Sequence, residues 1–341
     1  MPKSLIWVDP EAAPGEQIGL MSLADLQPAP GNPDPGNPGP DPDLPDVVNP
    51  QQFFRRYRRG INMNGLELNW SVTRGHRWGR AELEGVKAFG FDHIRLPANA
   101  QGWWRDPDRM RDLDQRIDWA LDLGLGVMLD PVHHHDALTS NPDGNVGEFR
   151  ALWGHMAQRY KDLPQNQLCF DLWNEPKIKD AGKLASVYRA GLEAVRGVSS
   201  TRICGYGDTW DGVWVPDRIQ HPDDDFTFLA AHIYLVKYDH ETAVTWPYGN
   251  NQVPALEQIG TWENRIKDFA IMAEQRNRAV HVGEFGFKRS ANPSKEQFLN
   301  WHLGQYDKYG WSCAFWTYYA EPFGARTLDY RNWESWADAL V

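Results

Sequence analysis

From residue 52 onward, short apolar runs alternate with longer segments in which apolar residues recur every three or four positions. The short runs have the length of β-strands, and the longer segments have the period of helices that bury one face. The strands are predicted at 59–63, 91–96, 125–130, 167–175, 202–207, 226–234, 279–286 and 312–319. Helices are predicted at 78–88, 112–123, 147–160, 182–198, 258–277, 295–308 and 332–340.

This alternation of strands and helices is typical of an α/β protein with a (β/α)8 TIM barrel. The alternative is a doubly wound open sheet, which usually carries a glycine-rich phosphate-binding turn after its first strand. Residues 60–65, GINMNG, do not fit that turn. We therefore expect a catalytic barrel over residues 51–341.

The first 50 residues follow a different pattern and are predicted to form an N-terminal extension with a Pro-rich linker. Residues 18–26 are weakly apolar and fit either a short helical turn or a strand. Proline then recurs between residues 28 and 50, interleaved with Gly, Asn and Asp, so this segment should run extended as a semi-rigid tether. Its aspartates lack the glycine and the terminal glutamate of a calcium-binding loop.

Composition narrows the classes of partner. The formal charge of −11 argues against nucleic acid and anionic membranes, which both reward clustered Lys and Arg. The 17 tryptophans favour a surface on which flat, neutral rings stack. Cys169, Cys204 and Cys313 each lie in a strand-like apolar run, which predicts buried free thiols. The first residues lack the apolar core of a secretory signal, and no run has the length of a membrane span.

Two predicted strands end in a glutamate. Asn174 and Glu175 stand before Pro176, which cannot donate to a strand ladder, and Glu284 ends the seventh strand between two glycines. The carboxyl ends of barrel strands meet at one face, where barrel enzymes place their active sites. A pair of carboxyl groups on that face is what glycoside hydrolysis requires.

Other predicted strand ends add polar and aromatic side chains to the same face. An arginine in an apolar strand, Arg95, is costly unless it pairs with a carboxylate. The third strand ends in a histidine run, 133–135, but side chains alternate along an extended segment and no third metal ligand is evident. We therefore expect neither a metal nor a cofactor. The remaining candidates on strand ends are His232, Tyr234 and Trp316.

The order of these groups along the chain resembles that of family 5 glycoside hydrolases, the retaining cellulases, mannanases and relatives of the clan A barrels. The resemblance extends from about residue 59 to residue 336 and is carried mainly by WNEP at 173–176 and GEFG at 283–286. It implies a (β/α)8 fold and retaining hydrolysis of a β-linked glycan.

The resemblance also implies a role for each residue. Glu175 matches the acid/base and Glu284 the nucleophile, with Arg95 keeping the nucleophile ionised and Tyr234 orienting it. Either His133 or His134 fits the third-strand histidine, and His133 is favoured because residues 133–138 resemble the family's usual continuation. The implied sugar contacts are Asn174 at the 2-hydroxyl, His133 and His232 at hydroxyls or at the acid/base, and Trp316 as a stacking floor.

A neutral β-glycan is the expected substrate, because further tryptophans follow predicted strands and no Lys/Arg cluster accompanies Arg95. Trp104 and Trp210 are candidate stacking residues. An endo-β-1,4-glucanase is the leading interpretation; the alternatives are a β-mannanase, an exo-acting β-glucosidase or β-mannosidase, and a non-catalytic carbohydrate-binding barrel. We expect a monomer with no nucleic-acid or membrane partner, secreted or periplasmic because of its substrate class.

Overall fold

The computed structural model describes residues 5–7, 19–21, 45–66, 78–133, 136–207, 222–234, 256–287, 295–318, 324–325 and 332–341. The chain divides into two compact units, Met1–Pro38 and Gly39–Val341. In the first unit, strands β1 (Leu5–Trp7) and β2 (Gly19–Met21) pair antiparallel. The predicted division of the chain at residue 50 remains a prediction.

In the second unit, eight parallel strands close into a barrel in which neighbours in the sheet are neighbours along the chain. The last strand pairs with the first, so the barrel has no free edge. The (β/α)8 prediction is confirmed. The barrel strands are β3 (Arg59–Asn62), β4 (His93–Pro97), β5 (Gly126–Asp130), β6 (Leu168–Asp171), β7 (Cys204–Tyr206), β8 (Thr227–His232), β9 (Ala279–Phe285) and β10 (Ser312–Phe315).

The helices begin where the sequence supplies capping groups. The side chains of Asp106, Asn141 and Asp180 accept hydrogen bonds from backbone N–H groups in the first turns that follow them. Prolines stand at the first position of two of these helices, where the missing N–H has no helical partner. The helices are α1 (Pro50–Arg56), α2 (Arg80–Phe89), α3 (Pro107–Asp122), α4 (Asp136–Ser140), α5 (Pro142–Arg159), α6 (Ala181–Arg196), α7 (Leu256–Gln275) and α8 (Lys295–Lys308).

Several elements differ from the sequence-based expectation. Helix α4 was not predicted, and β10 was expected to reach residue 319 but ends at Phe315. The last predicted helix, 332–340, is only a short 3-10 turn over Ala337–Leu340. The fourth predicted strand was expected to reach residue 175, but β6 ends at Asp171. Helix α1 was not predicted, because Pro50 was assigned to the linker.

Helix α1 packs against the amino-terminal ends of the strands. Phe53, Phe54 and Tyr57 are buried in one cluster with side chains from β5, β6 and β8. The Phe54 ring meets Phe228 edge-on at 4.8 Å and stacks on His281 at 5.2 Å. This helix therefore covers the end of the barrel opposite to the predicted active-site face.

The three cysteines are buried free thiols, as predicted. Among the described residues, no helix combines the length and the apolar character needed to cross a membrane.

Candidate active site

Arg95 lies at the centre of the polar cluster at the carboxyl ends of the strands. Its side chain is completely buried on β4. Nη1 donates to Glu284 Oε1 at 2.8 Å and to Asn62 Oδ1 at 3.1 Å, while Nη2 donates to Asn174 Oδ1 at 2.8 Å. One guanidinium therefore fixes the two predicted residues Asn174 and Glu284 relative to each other. Asn62 was not predicted as a site residue.

Two buried aspartates complete the shell of Arg95. Nη2 donates to Asp130 Oδ2 at 3.0 Å and to Asp171 Oδ2 at 3.2 Å, and Nε donates to Asp171 Oδ2 at 3.3 Å. Burial opposes the positive charge, but Asp130, Glu284 and Asp171 together raise the pKa of Arg95 above its already high value. Neither aspartate was predicted as a site residue. The available signal was an acidic residue within an apolar strand, which must find a partner when it is buried.

Glu284 on β9 receives a hydrogen bond on each carboxylate oxygen. Arg95 occupies Oε1, and the Tyr234 hydroxyl donates to Oε2 at 2.9 Å. Burial and the charges of Glu284 and Glu175 raise the pKa of Tyr234, so this hydroxyl keeps its proton and acts as a donor. Both carboxylate oxygens of Glu284 are therefore held by a donor.

The glycine before Glu284 permits this close packing. A Cβ on Gly283 would lie 3.2 Å from His232 Nε2 and 3.3 Å from Arg95 Nε. The glycine therefore lets the guanidinium and the imidazole approach the β9 backbone side by side.

Glu175 follows β6 and has a positive φ of 38°. This left-handed conformation is uncommon for a residue with a side chain, and strained backbone of this kind is concentrated at functional sites. The Glu175 side chain is 23% exposed, whereas that of Glu284 is 7% exposed. The two carboxyl groups thus have different environments, one accessible to solvent and one enclosed by donors.

His232 at the end of β8 lies between the two glutamates. Its Nδ1 is 2.9 Å from Glu175 Oε1 and 3.7 Å from Glu284 Oε2. Burial lowers the pKa of His232, although the carboxylate of Glu284 opposes this effect. The neutral ring can donate to an ionised Glu175 or accept from a protonated one, depending on its tautomer. His232 can therefore hydrogen-bond to Glu175 in either protonation state.

His133 and Trp316 form a second wall of the site. His133 Nδ1 is 2.8 Å from Asp130 Oδ2, and its ring stacks on Trp316 with an interplanar angle of 4° and a centroid distance of 5.5 Å. His133 is buried and Trp316 is partly exposed. His134, the other candidate histidine, lies outside the described residues.

Trp104, another predicted aromatic contact, makes its described contacts elsewhere. Trp104 Nε1 donates to Glu148 at 3.0 Å, Arg105 lies 3.8 Å over the Trp104 ring, and His155 packs against it at 5.1 Å. The Trp104 ring thus contacts helix α5 and the residue that follows it in the chain. These contacts give no support to the predicted sugar contact. Trp210 lies outside the described residues.

Glu175, His232 and Glu284 each place one ligand-type atom within 4.8 Å of the others. Two carboxylates and an imidazole at this spacing could also hold a divalent metal ion. Beside them, a small pocket is lined by Asp171, Trp173, Glu175, Pro176, Gly207, Ala230 and His232.

Comparison with known families shows which family the chain belongs to. Residues 55–322 match the family model described as cellulase, glycosyl hydrolase family 5. The chain belongs to this family. The sequence-based resemblance is therefore confirmed, and the chain is an O-glycosyl hydrolase of the cellulase family.

Two curated relatives illustrate the similarity. Endoglucanase H of Acetivibrio thermocellus is 25% identical over 295 residues, which cover 80% of this chain and 31% of that protein. Endoglucanase B of Ruminococcus albus is 25% identical over 301 residues, which cover 78% of this chain and 71% of that protein. The chain thus spans about a third of the length of Endoglucanase H.

Solved structures agree with the barrel fold. Endoglucanase Cel5A from Thermotoga maritima superposes with a TM-score of 0.77 at 22% identity, covering 86% of this chain and all (100%) of that one. Cellulose synthase subunit Z from Clostridioides difficile superposes with a TM-score of 0.73 at 23% identity, covering 83% and 98%. At these identities the likeness establishes the fold.

Proposed function

We propose that this family 5 barrel is a retaining endo-β-1,4-glucanase that works by double displacement on Glu175 and Glu284. The observation that carries the proposal is the proximity of the two carboxyl groups, which place one oxygen each within 4.8 Å. Retaining enzymes hold their carboxyl groups about 5–5.5 Å apart, whereas inverting enzymes hold them about 6.5–9.5 Å apart to admit a water molecule. The short separation supports direct attack by a glutamate.

In this proposal Glu284 is the nucleophile. Its carboxylate attacks the anomeric carbon as the glycosidic C–O bond breaks, which forms a covalent glycosyl-enzyme intermediate. Arg95 and Tyr234 hold the two oxygens, which orients the carboxylate for this attack.

Glu175 is the acid/base in this proposal. It gives its proton to the leaving oxygen in the first step and then takes a proton from the water molecule that cleaves the intermediate. Its greater exposure and its contact with His232 suit a group that exchanges its proton in every cycle. His232 is assigned the role of a positioning residue for Glu175.

Three other residues are assigned to the sugar. Asn174 is held by Arg95 through Oδ1, so its amide group is fixed for a contact with the 2-hydroxyl, which strengthens in the transition state. Trp316 supplies a partly exposed ring plane for stacking, and His133 lies against that ring.

The substrate assignment rests on family membership and on charge. The curated relatives are endoglucanases by name. Arg95 is enclosed by carboxyl and amide oxygens, so it offers no free positive charge for a phosphorylated or uronic sugar. A neutral β-glucan fits both observations.

A β-mannan is the second candidate, because Thermotoga maritima Cel5A has been solved with cellobiose and with mannotriose. Exo-acting hydrolysis of short oligosaccharides is a further alternative. A non-catalytic carbohydrate-binding barrel is disfavoured, because both glutamates are present with their partners in place.

The products released from a panel of β-1,4-glucan, β-1,3-glucan and β-mannan test the proposal. We expect a rapid fall in viscosity of a soluble β-1,4-glucan, with few reducing ends formed at first, because an endo-acting enzyme cuts within the polymer. Glu175→Gln and Glu284→Gln serve as inactive controls. Exclusive release of one small sugar, an inverted anomeric product, or preference for mannan would each contradict the corresponding part of the proposal.

A further inference from the structure

Asp171 uses only one of its carboxyl oxygens within the network of Arg95. Oδ2 accepts both hydrogen bonds from Arg95, at 3.2 and 3.3 Å. Oδ1 is buried and has no hydrogen-bond partner among the residues that the structure describes. Asp130 differs, because its Oδ2 contacts Arg95 and His133 while its Oδ1 accepts from the Val132 N–H at 3.3 Å. A buried ionised oxygen without a donor is costly, so Asp171 is the carboxyl group best suited to carry a proton.

The charge of the cluster leads to the same assignment. One guanidinium, Arg95, contacts Asp130, Asp171 and Glu284, all of them nearly completely buried. A single positive charge cannot balance three buried negative charges. Glu284 and Asp130 have donors on both oxygens, whereas Asp171 has donors on one.

The unpartnered oxygen belongs to a side chain that lines the pocket beside Glu175. Asp171, Glu175 and His232 are the ionisable groups among its lining residues. Asp171 therefore lies beside the proposed acid/base and the histidine that positions it.

The groups that face Asp171 come from several strands. Arg95 on β4 opposes its protonation, while Asp130 on β5 favours it. His232 on β8 also opposes its protonation, and Cys169 on β6 and Glu175 in the pocket are further titratable neighbours. Burial raises the pKa of Asp171 to about 6 in spite of Arg95.

We propose that Asp171 is a positioning residue that acts in its protonated form. Oδ2 holds the guanidinium that serves Glu284 and Asn174, and a proton on Oδ1 removes the negative charge from the oxygen that has no donor among the described residues. An ionised Asp171 would compete with Glu284 for Arg95, so the rate should fall as Asp171 loses its proton. The effect on rate rests on the proposed function, whereas the proton itself does not.

Two substitutions separate the possible roles of Asp171. Asp171→Asn keeps an acceptor for Arg95 and carries no charge, so it mimics the protonated acid. We expect it to keep at least about a tenth of the wild-type kcat. Asp171→Ala removes both contacts and should lower kcat by about 100-fold, with KM changed by less than about threefold, because the loss lies in the positioning of the nucleophile.

Asp118→Asn is the matched control. Partial burial and the neighbouring Asp114 and Asp122 raise the pKa of this second aspartate, which lies on α3 away from the cluster. The same chemical substitution there should leave kcat and KM unchanged. If Asp171→Asn is as inactive as Asp171→Ala, Asp171 works in its ionised form and the proposal is wrong.

A titration of the wild-type protein tests the proton without any substrate. Aspartate carboxyl groups labelled with ¹³C are followed by NMR as the pH changes. We expect a carboxyl signal that titrates near pH 6, is lost in Asp171→Asn and is kept in Asp118→Asn. A signal for Asp171 that titrates below about pH 4, near the ordinary aspartate value, would overturn the proposal.

The two readouts also separate this inference from the proposed function. A wild-type chain without β-glycan hydrolysis but with the titration near pH 6 would refute the proposed function alone. Should Asp171→Ala fail to fold, the comparison of wild type with Asp171→Asn still decides the outcome.

Discussion

Arg95 contacts carboxyl groups that come from three different strands of the barrel. Its planar fork matches several acceptors at once, which an ammonium group cannot do. The residue therefore has two effects that are hard to separate in the wild-type protein. It orients Glu284 and Asn174, and it lowers the cost of burying acidic groups close together.

Replacing Arg95 with Met keeps much of the volume of the stem and deletes the charge. We expect a loss of about 3–5 kcal/mol in the free energy of unfolding at neutral pH, because the buried carboxyl groups lose their cation. Without the cation, the buried carboxyl groups of the folded variant bind protons more readily than those of the unfolded chain. The free energy of unfolding should therefore be reduced least at low pH, where these groups are protonated, and should fall further as the pH rises. Urea unfolding at about pH 4.5 and about pH 7.5 measures the difference.

Two variants control this prediction. Arg95→Lys should restore part of the stability and of kcat/KM, since it keeps the charge but not the fork. Arg105→Met removes an exposed pair with Glu148 and should cost less than about 1 kcal/mol. An Arg95→Met variant with wild-type stability at both pH values would show that the pairing is energetically unimportant.

The two glutamates should respond differently to chemical rescue. Glu284→Ala should abolish turnover, and added azide should then yield a glycosyl azide of inverted configuration, because the small anion occupies the space of the nucleophile. Glu175→Ala should still form the glycosyl-enzyme with an activated aryl glycoside, whose leaving group needs little protonation. NMR of the products and burst kinetics measure these outcomes. Identical behaviour of the two variants would refute the assignment of roles.

At the scale of elements, the strands were predictable and their exact ends were not. Buried parallel strands are apolar on both faces, so β4, β5 and β9 stand out as apolar runs. The run that contains β6 continues through Leu172 and Trp173, which are buried after the strand has ended. Hydrophobicity reports burial and not the position at which the hydrogen-bond ladder stops.

At the active site, only some of the partners of Arg95 could be predicted from the sequence. A carboxylate partner was expected because a buried arginine is costly without one, and the pairing with Glu284 follows from the family motif. The contacts with Asn62, Asp130 and Asp171 depend on how three more strands are aligned in the closed barrel. No local pattern encodes that register.

Helix α1 was missed although its start carries a capping box. Asn49 accepts from the Gln52 N–H at 2.8 Å, and the Gln52 side chain accepts from the Asn49 N–H at 2.9 Å. The helix is only 7 residues long, too short for a helical period to be visible. Its stability comes from packing against the strand ends.

Replacing Phe54 with Ala tests that packing. We expect a loss of about 3–5 kcal/mol in the free energy of unfolding, because a fully enclosed ring between Phe228 and His281 is removed. The kcat should change little, since this end of the barrel is remote from Glu284. Arg55→Ala, an exposed position on the same helix, is the control for changes in helix propensity. A small loss of stability for Phe54→Ala would mean that the barrel closes without α1.

For the whole molecule, stability and chemistry lie at opposite ends of the barrel. The amino-terminal ends of the strands are covered by α1 and its apolar cluster, and the carboxyl ends carry the charged network. This division is typical of barrel enzymes and allows the active-site face to keep strained and charged groups.

Removing residues 1–45 should leave activity on a soluble substrate and the melting temperature nearly unchanged, because a Pro-rich tether buries little surface. The shortened chain keeps Val48, the Asn49 cap and all of α1, and loses the Pro45 carbonyl that Asn166 contacts at 3.2 Å. Removing residues 1–57 is the matched comparison, since it also deletes Phe53, Phe54 and Tyr57 and should unfold the barrel or lower its melting temperature by more than about 10 °C. Thermal unfolding and hydrolysis of a soluble β-glucan are measured for both. If the shorter deletion already lowers activity or stability strongly, the first 45 residues contribute to the barrel, and the predicted division of the chain is wrong.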